Sequence, residues 1–398
     1  GLLCIAFFVP QALHIDRSPV GATHAAWVTW LYISLCLVLG WIGFVLGKRR
    51  GVFAGVSQLE RPSDWNWTLV CSAVLFFVGV LSIFRVSTMA SEGDLGTEWQ
   101  GVITLWYLLI QFVFIAAAIN WVAYLRTGRR AFLVLAVLSA AAILFVFNEN
   151  VKRHMIAELA VIAAGGWFLC RGRQVWRPAV LAACLLGTVF LHQVGAVRDY
   201  VRSGQGNVLE AVAAGVPFRD FRFLSADRAP ELTHAVVDIA TTARTGTYEG
   251  FSLVWNTLVH QYVPAFLVGA ENKTSLKVAL AADRVPDVAR EAHQWHGATR
   301  TGFSDSFRAF GIAGAIVFLA LGALMGVIYG HALAGHFTAQ VLYLVLLNDS
   351  LIALTEATAR FVTMLPFVVA VVWFATRARA RDTMPAPIAV APQFKGVS

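Results

Sequence analysis

Between Val194 and Arg308 the chain is a long polar stretch set between strongly apolar regions. It carries ten arginines: Arg198, Arg202, Arg219, Arg222, Arg228, Arg244, Arg284, Arg290, Arg300 and Arg308. It also carries His234, His260, His293 and His296. Acids roughly balance the arginines, among them Asp199, Glu210, Asp220, Asp227, Glu231, Asp238, Glu249, Glu271, Asp287 and Asp305. For most of these arginines the expected role is therefore a solvated, salt-bridged cap. Cations at the ends of apolar stretches are a different case. Lys152, Arg153, Arg198, Arg202, Arg300, Arg308 and Arg360 would sit at the depth of lipid phosphates. A guanidinium stays charged in low dielectric and grips phosphate through two parallel N–H groups. A ring of such groups could hold a lipid pyrophosphate, or ordinary phospholipid head groups. Both readings stay open at this point.

The composition says what must position these groups. Hydrophobic residues make up 58% of the chain and charged residues 14%, and the mean hydropathy is +0.68. Soluble domains carry roughly 25% charged residues, so the chain belongs to the membrane class. The net charge of +8 fits basic residues flanking spans. No basic run interleaved with aromatics points to nucleic acid. Cys4, Cys36, Cys71, Cys170 and Cys184 all lie in or beside apolar stretches with no Cys-x-x-Cys pair. They indicate neither zinc nor a disulfide framework, and small apolar packing roles are expected.

In chain order, Gly1–Leu13 is apolar but short for a span. It has no initiator Met and is expected to be an incomplete first helix. Without a basic n-region or a small-residue cleavage site it does not read as a signal peptide. Spans are expected over 25–47, 65–86, 101–125, 131–147, 155–170, 178–193, 310–329, 338–354 and 361–374, giving about ten helices in all. The clusters Lys48–Arg50, Arg126–Arg130, Arg171–Arg177 and Arg377–Arg381 abut helix ends. Placed on the cytoplasmic side by the positive-inside rule, they all fall on that side together, and 194–308 falls on the other.

The expected fold is thus an all-α polytopic transmembrane bundle with a long, partly helical extracytoplasmic loop. Residues 1–193 would hold the N-terminal helices, 194–308 the loop, 309–382 the C-terminal helices and 383–398 a disordered tail. Within the loop, 207–216 and 230–245 read as helices, the latter with Leu232, Val236, Ile239 and Ala243 on one face. Residues 250–269 read as a helix lying on or dipping into the outer leaflet. Gly322, Gly326 and Gly330 read as helix-packing residues.

The segment Gly297-Ala-Thr-Arg-Thr-Gly-Phe-Ser-Asp-Ser-Phe-Arg-Ala-Phe-Gly311, followed by Ile-Ala-Gly-Ala and an apolar helix, resembles the oligosaccharide repeat-unit polymerase (O-antigen polymerase) family. There, too, a hydroxyl-rich outer stretch leads into an aromatic-Gly-x-x-Gly helix start. Arg300-x10-Gly311 is similar to the Arg-x10-Gly spacing of these polymerases; a His-x10-Gly partner is absent. The resemblance spans roughly Phe145 to Arg308 and the following helix. It implies glycosyl transfer at the outer face of a bacterial inner membrane, with the long loop in the periplasm. The donor would be a glycan on undecaprenyl pyrophosphate and the acceptor a hydroxyl of a new lipid-linked repeat unit. The product would be lipopolysaccharide O-antigen or exopolysaccharide. Membrane lipids and a chain-length regulator protein are the other implied partners, with no cofactor, metal or nucleic acid. The leaving group is already a pyrophosphate, arginines can stabilise its developing charge, and a carboxylate or His can take the acceptor proton.

Candidates for that base are His296, His260, Asp305 and Glu356. His296 stands four residues before Arg300 and next to Trp295, which could stack on a sugar; equally, it reads as a surface histidine. Glu356 follows Asp349 at a spacing that puts both on one helix face, and an intramembrane carboxylate is a functional candidate. Pairing with Arg360 is its structural alternative. A ligase acting on lipid A shares the chemistry, but its family pattern has a His where Arg300 stands. The other multispan class of mannosyltransferase needs paired carboxylates in the first outer loop, which here offers only Asp16. A flippase or transporter predicts internal repeats and charges buried at mid-membrane.

Overall fold

A chain segment in lipid must pair its own N–H and C=O groups, so long apolar stretches fold as helices. The structure is a computed structural model. It describes residues 24–50, 64–90, 102–150, 153–172, 203–216, 230–280, 301–355 and 358–377, with single positions at 197, 200 and 201. Every regular element among them is helical: α1 His24–Arg50, α2 Trp65–Ala90, α3 Val102–Thr127, α4 Arg130–Asn150 and α5 Arg153–Arg171. Then come the short α6 Val208–Ala213, α7 Pro230–Thr245, α8 Ser252–Tyr262, α9 Ala265–Val268 and α10 Ala270–Ser275. The last group is α11 Gly302–Phe310, a 3-10 turn over Gly311–Gly314, α12 Ala315–Leu333, α13 Phe337–Thr355 and α14 Thr358–Thr376.

Among the described residues, five helical stretches are long and apolar enough to cross a membrane: Ala26–Arg49, Trp65–Thr88, Leu105–Thr127, Gly302–Leu333 and Thr358–Thr376. Arg130–Val146 and Phe337–Leu351 are apolar over shorter lengths. These are the helices of a transmembrane protein, but they fall short of the ten expected. Gly1–Leu13 and Pro178–Gln193 lie outside the described residues, as does the tail from 383, and α5 carries Glu158 within its apolar run.

The helices alternate in direction, and side-chain bonds show which ends meet. Arg126, at the end of α3, donates to Gln340 Oε1 at 2.8 and 3.0 Å and to the Gly335 carbonyl. Gln340 Nε2 in turn donates to the carbonyls of Leu169 and Ala332 at 3.0 and 3.1 Å. Arg129 reaches Asn66 at 3.1 Å, Trp67 donates to the Phe374 carbonyl at 3.1 Å, and Lys48 lies over the Tyr329 ring. The ends bearing Lys48, Arg126, Arg129, Arg171 and Arg377 therefore gather at one pole of the bundle.

Two cores hold the molecule together. The larger joins α2–α5 with α13 and α14 around Ile115, Ile119, Phe132, Leu344 and Phe361. The smaller, at the pole away from the basic ends, joins Tyr32, Ile33 and Cys36 of α1 with Leu232, Val236 and Ile239 of α7, Phe303 and Phe307 of α11, and Phe318. Helices α1 and α12 run parallel in close contact. A Cβ on Gly43 or Gly47 would overlap the carbonyl of Leu319 or Ala323, and one on Gly322 or Gly326 that of Gly40 or Phe44. Small residues let backbones meet this closely in lipid, as read for Gly322 and Gly326.

The long loop is the chief departure from expectation. Its described parts are helices packed on the bundle rather than the solvated, salt-bridged cap expected. The apolar stripe of α7 explains part of this: Leu232, Val236 and Ile239 are all buried. The buried face continues through Thr242, while Ala243 is exposed. Residues 250–269 split into α8 and α9 at Pro264, which has no N–H to continue the ladder.

Candidate functional site

The stretch singled out before α12 is itself a helix, and nearly all of α11 is buried. Its start is built locally. Thr301 takes an extended backbone, φ −83° and ψ 152°, and its Oγ1 accepts from Ser304 N at 3.2 Å. Hydroxyl capping satisfies a donor that the first helical turn leaves free. Asp305 stands in the first turn, where the helix dipole favours an acid. Gly302 is required because a Cβ there would overlap the Ala353 carbonyl and crowd Thr358. This contact seats the start of α11 on the junction between α13 and α14.

The other end corrects the expectation that a spanning helix simply begins near Phe310. Gly311 has φ +61° and ends α11, a conformation glycine adopts without strain. The 3-10 turn then folds back until Gly314 faces the Ser306 carbonyl, where a Cβ would not fit. Tyr32 of α1 completes the corner. Its hydroxyl bonds Ser306 Oγ at 2.9 Å, and its ring meets Phe307 edge-on at 4.9 Å. The Gly-x-x-Gly pattern thus serves a turn and a close approach rather than a straight helix start.

Arg308 points into the protein. Its Nη2 lies 3.2 Å from Glu249 Oε1, with side-chain exposures of 4% and 0%. Glu249 N and Gly250 N also donate to the carbonyls of Arg308 and Ala309 at 2.8 and 2.9 Å. Among the described residues Nη1 of Arg308 makes no hydrogen bond. The guanidinium is met by an internal carboxylate rather than standing bare at a helix end.

The richest constellation lies on α5, α13 and α14. Glu158 is 3% exposed, and its Oε2 accepts from Asn348 Nδ2 at 3.1 Å. Asp349 and Arg360 are close enough to act electrostatically on Glu158, and Arg360 acts on Asp349 in the same way. Two acids and a guanidinium thus belong to one cluster, and a carboxylate is a group that can take a proton from a hydroxyl. Ala353 and Thr358, the seat of Gly302, fall between Asp349 and Arg360 in the chain. The polar start of α11 and this cluster therefore occupy the same end of the bundle. Among the described residues no three His, Cys, Asp or Glu side chains gather as a metal-holding group.

Of the residues picked from sequence, Asp305, Arg308, Arg360 and His260 are described throughout. Asp305 and Arg308 are buried on α11, and Arg360 joins the acid cluster. His260 lies on α8, where its carbonyl accepts from Lys273 Nζ at 3.0 Å. Beside it, Gln261 Oε1 accepts from Thr363 Oγ1 at 2.7 Å, and Tyr262 donates its hydroxyl to the Thr363 carbonyl at 2.8 Å. Arg153 is the first residue of α5. Lys152, Arg198, Arg202, Trp295, His296, Arg300 and Glu356 lie outside the described residues. Glu158 and Asn348 were missed. A lone acid within an apolar span was the available signal for Glu158. Compared with protein-family models, with curated proteins and with solved structures, the chain has no match.

Proposed function

We propose that the chain is a bacterial inner-membrane glycosyltransferase that polymerises oligosaccharide repeat units carried on undecaprenyl pyrophosphate. In this reading the bundle has about ten spans, and the pole with α11 and the acid cluster faces the periplasm. One observation supports it most. Two acids and a guanidinium share the pole opposite the basic helix ends, beside the buried hydroxyl-rich segment that follows Arg300. An acceptor hydroxyl attacks C1 of the donor glycan, and its proton passes to the Glu158–Asp349 pair. The bond from C1 to the pyrophosphate oxygen breaks, and arginines, Arg300 and Arg360 foremost, balance the charge on the departing lipid pyrophosphate. Nucleotide sugar and metal have no part in these steps.

The test is ladder formation from lipid-linked repeat units by the purified protein in liposomes, in excess chelator. Glu158→Gln should lose roughly 10²–10⁴-fold in rate, the usual worth of a general base. Arg300→Lys keeps the charge and loses the paired N–H geometry, and should lose roughly 100–1000-fold. Arg228→Lys should cost little. Near-normal ladders from all three variants would refute the assignment of these roles. A second reading, a non-enzymatic transporter of lipid-linked glycans, is favoured by the enclosure of Glu158 within the apolar run of α5. It predicts movement of labelled lipid-linked glycan across the bilayer with no ladder.

A further inference from the structure

The segment from α8 to α10 closes on itself. Trp255 Nε1 donates to the Leu276 carbonyl at 2.7 Å. Asn256 donates to the Val278 carbonyl and accepts from Val278 N, both at 2.8 Å. The Lys273 bond to the His260 carbonyl ties the middle of this hairpin. Gly269, with φ +89°, provides the reversal after α9. The Gln261 and Tyr262 bonds to Thr363 then fix the hairpin to α14, and Thr363 lies inside the span Thr358–Thr376. The turn end of the hairpin therefore sits beside the first turns of a spanning helix.

Its two sides differ sharply. At 100° per residue, Phe251 at the N-cap and Trp255 and Tyr262 of α8 fall within about 40° of one another, and all three are exposed. Phe266 and Leu267 at the tip are exposed too, Leu267 by 72%. On α10 the exposed residues are Ala270, Glu271, Asn272, Thr274 and Ser275, four of them polar, with Leu276 and Val278 exposed beyond its end. The apolar side continues into the outward face of the next span. The Phe251 ring meets Phe310 at 5.1 Å, and Ile312 and Ile316 follow at 69% and 60% exposure. An apolar surface of this kind marks an interaction site. Trp and Tyr, with apolar bodies and polar tips, are the residues that sit at membrane interfaces.

From this geometry we infer that α8–α10 is a membrane-inserted hairpin whose partner is the acyl-chain region of the leaflet at this pole. Trp255, Phe266 and Leu267 make the contact, and α10 keeps its polar side in water. Amphipathic segments bind the boundary of head groups and chains in this way. The inference is independent of the reaction the chain carries out. The full chain, in phosphatidylcholine liposomes containing a phospholipid with a diazirine on its acyl chain, is illuminated and its peptides are mapped by mass spectrometry. Adducts are expected on Phe266 or Leu267 at a level comparable with Ile316 in α12, and none on Glu271–Ser275. Adducts at Ile316 with none in 251–268 would overturn the inference. Adducts at Ile316 with none on the hairpin, together with hairpin-to-hairpin links from a homobifunctional cross-linker added to the same liposomes, would overturn it equally, assigning the surface to a second copy.

Discussion

Breaking the Arg308–Glu249 pair should cost far more than removing it whole. Glu249→Gln leaves the guanidinium of Arg308 enclosed without the carboxylate that meets it, and Arg308→Met takes that guanidinium away from Glu249. Their side chains are 4% and 0% exposed, so water cannot take the missing partner's place. Leaving one member of such a pair buried alone costs about 3–5 kcal/mol, equal to roughly 10²–10³·⁵ in the unfolding equilibrium. The double variant Glu249→Leu with Arg308→Met takes both charges away. Replacing a buried pair by packed apolar groups is often neutral or stabilising by about 1–4 kcal/mol. Unfolding in detergent micelles under a denaturant series reads all four proteins. The single variants should shift the midpoint strongly downward, and the double variant should recover most of the loss. If either single variant costs about 1 kcal/mol or less, the pair behaves as a surface ion pair, and enclosure of α11 is refuted. If the double variant is as damaging as the two singles combined, the charges are doing more than meeting each other. The polymer ladder assay on the double variant then asks whether Arg308 serves the reaction.

Other outcomes follow from contacts already described. Gly326→Leu should prevent α1 and α12 from meeting and sharply lower folded yield. Gly330→Ala should fold normally, because a Cβ there would lie 3.4 Å from the Lys48 carbonyl; equal yields would refute the close approach. Tyr32→Phe should cost about 1 kcal/mol of stability through the lost Ser306 bond, measured in the same denaturant series; no change would mean that bond is not made. A cysteine at Gly206 should react with an impermeant thiol reagent in intact spheroplasts, and one at Arg129 only after lysis. The reverse pattern would invert the proposed sidedness.

What was legible in the sequence follows from the range of the forces involved. The face of α7 was readable because the 3.6-residue period is a local property, and Leu232, Val236 and Ile239 are buried as that period demands. Gly322 and Gly326 were readable as contact residues because small side chains in an apolar helix have few other uses. The fate of Arg308 was not, since its partner Glu249 is 59 residues away, and an arginine at the end of an apolar stretch can face phosphate or carboxylate. Glu158 was overlooked for a similar reason: Asn348, which bonds it, lies 190 residues later. Gly311 stood in a pattern read as the beginning of a helix, and its positive φ belongs to a turn packed against Tyr248, 63 residues earlier in the chain.

The parallel contact between α1 and α12 has a consequence for synthesis. Tyr32 and Ser306, which join the same small core, are 274 residues apart. Chains emerge at about 5–20 residues per second, so α1 waits roughly 14–55 s before the surfaces that cover it exist. Throughout that interval its glycine-lined groove, the Tyr32 hydroxyl and Cys36 face the bilayer or another helix. The first described helix is therefore among the last to be enclosed. A membrane-embedded chaperone, or a transient neighbour offering small residues of its own, would find its best foothold on Gly40, Gly43 and Gly47.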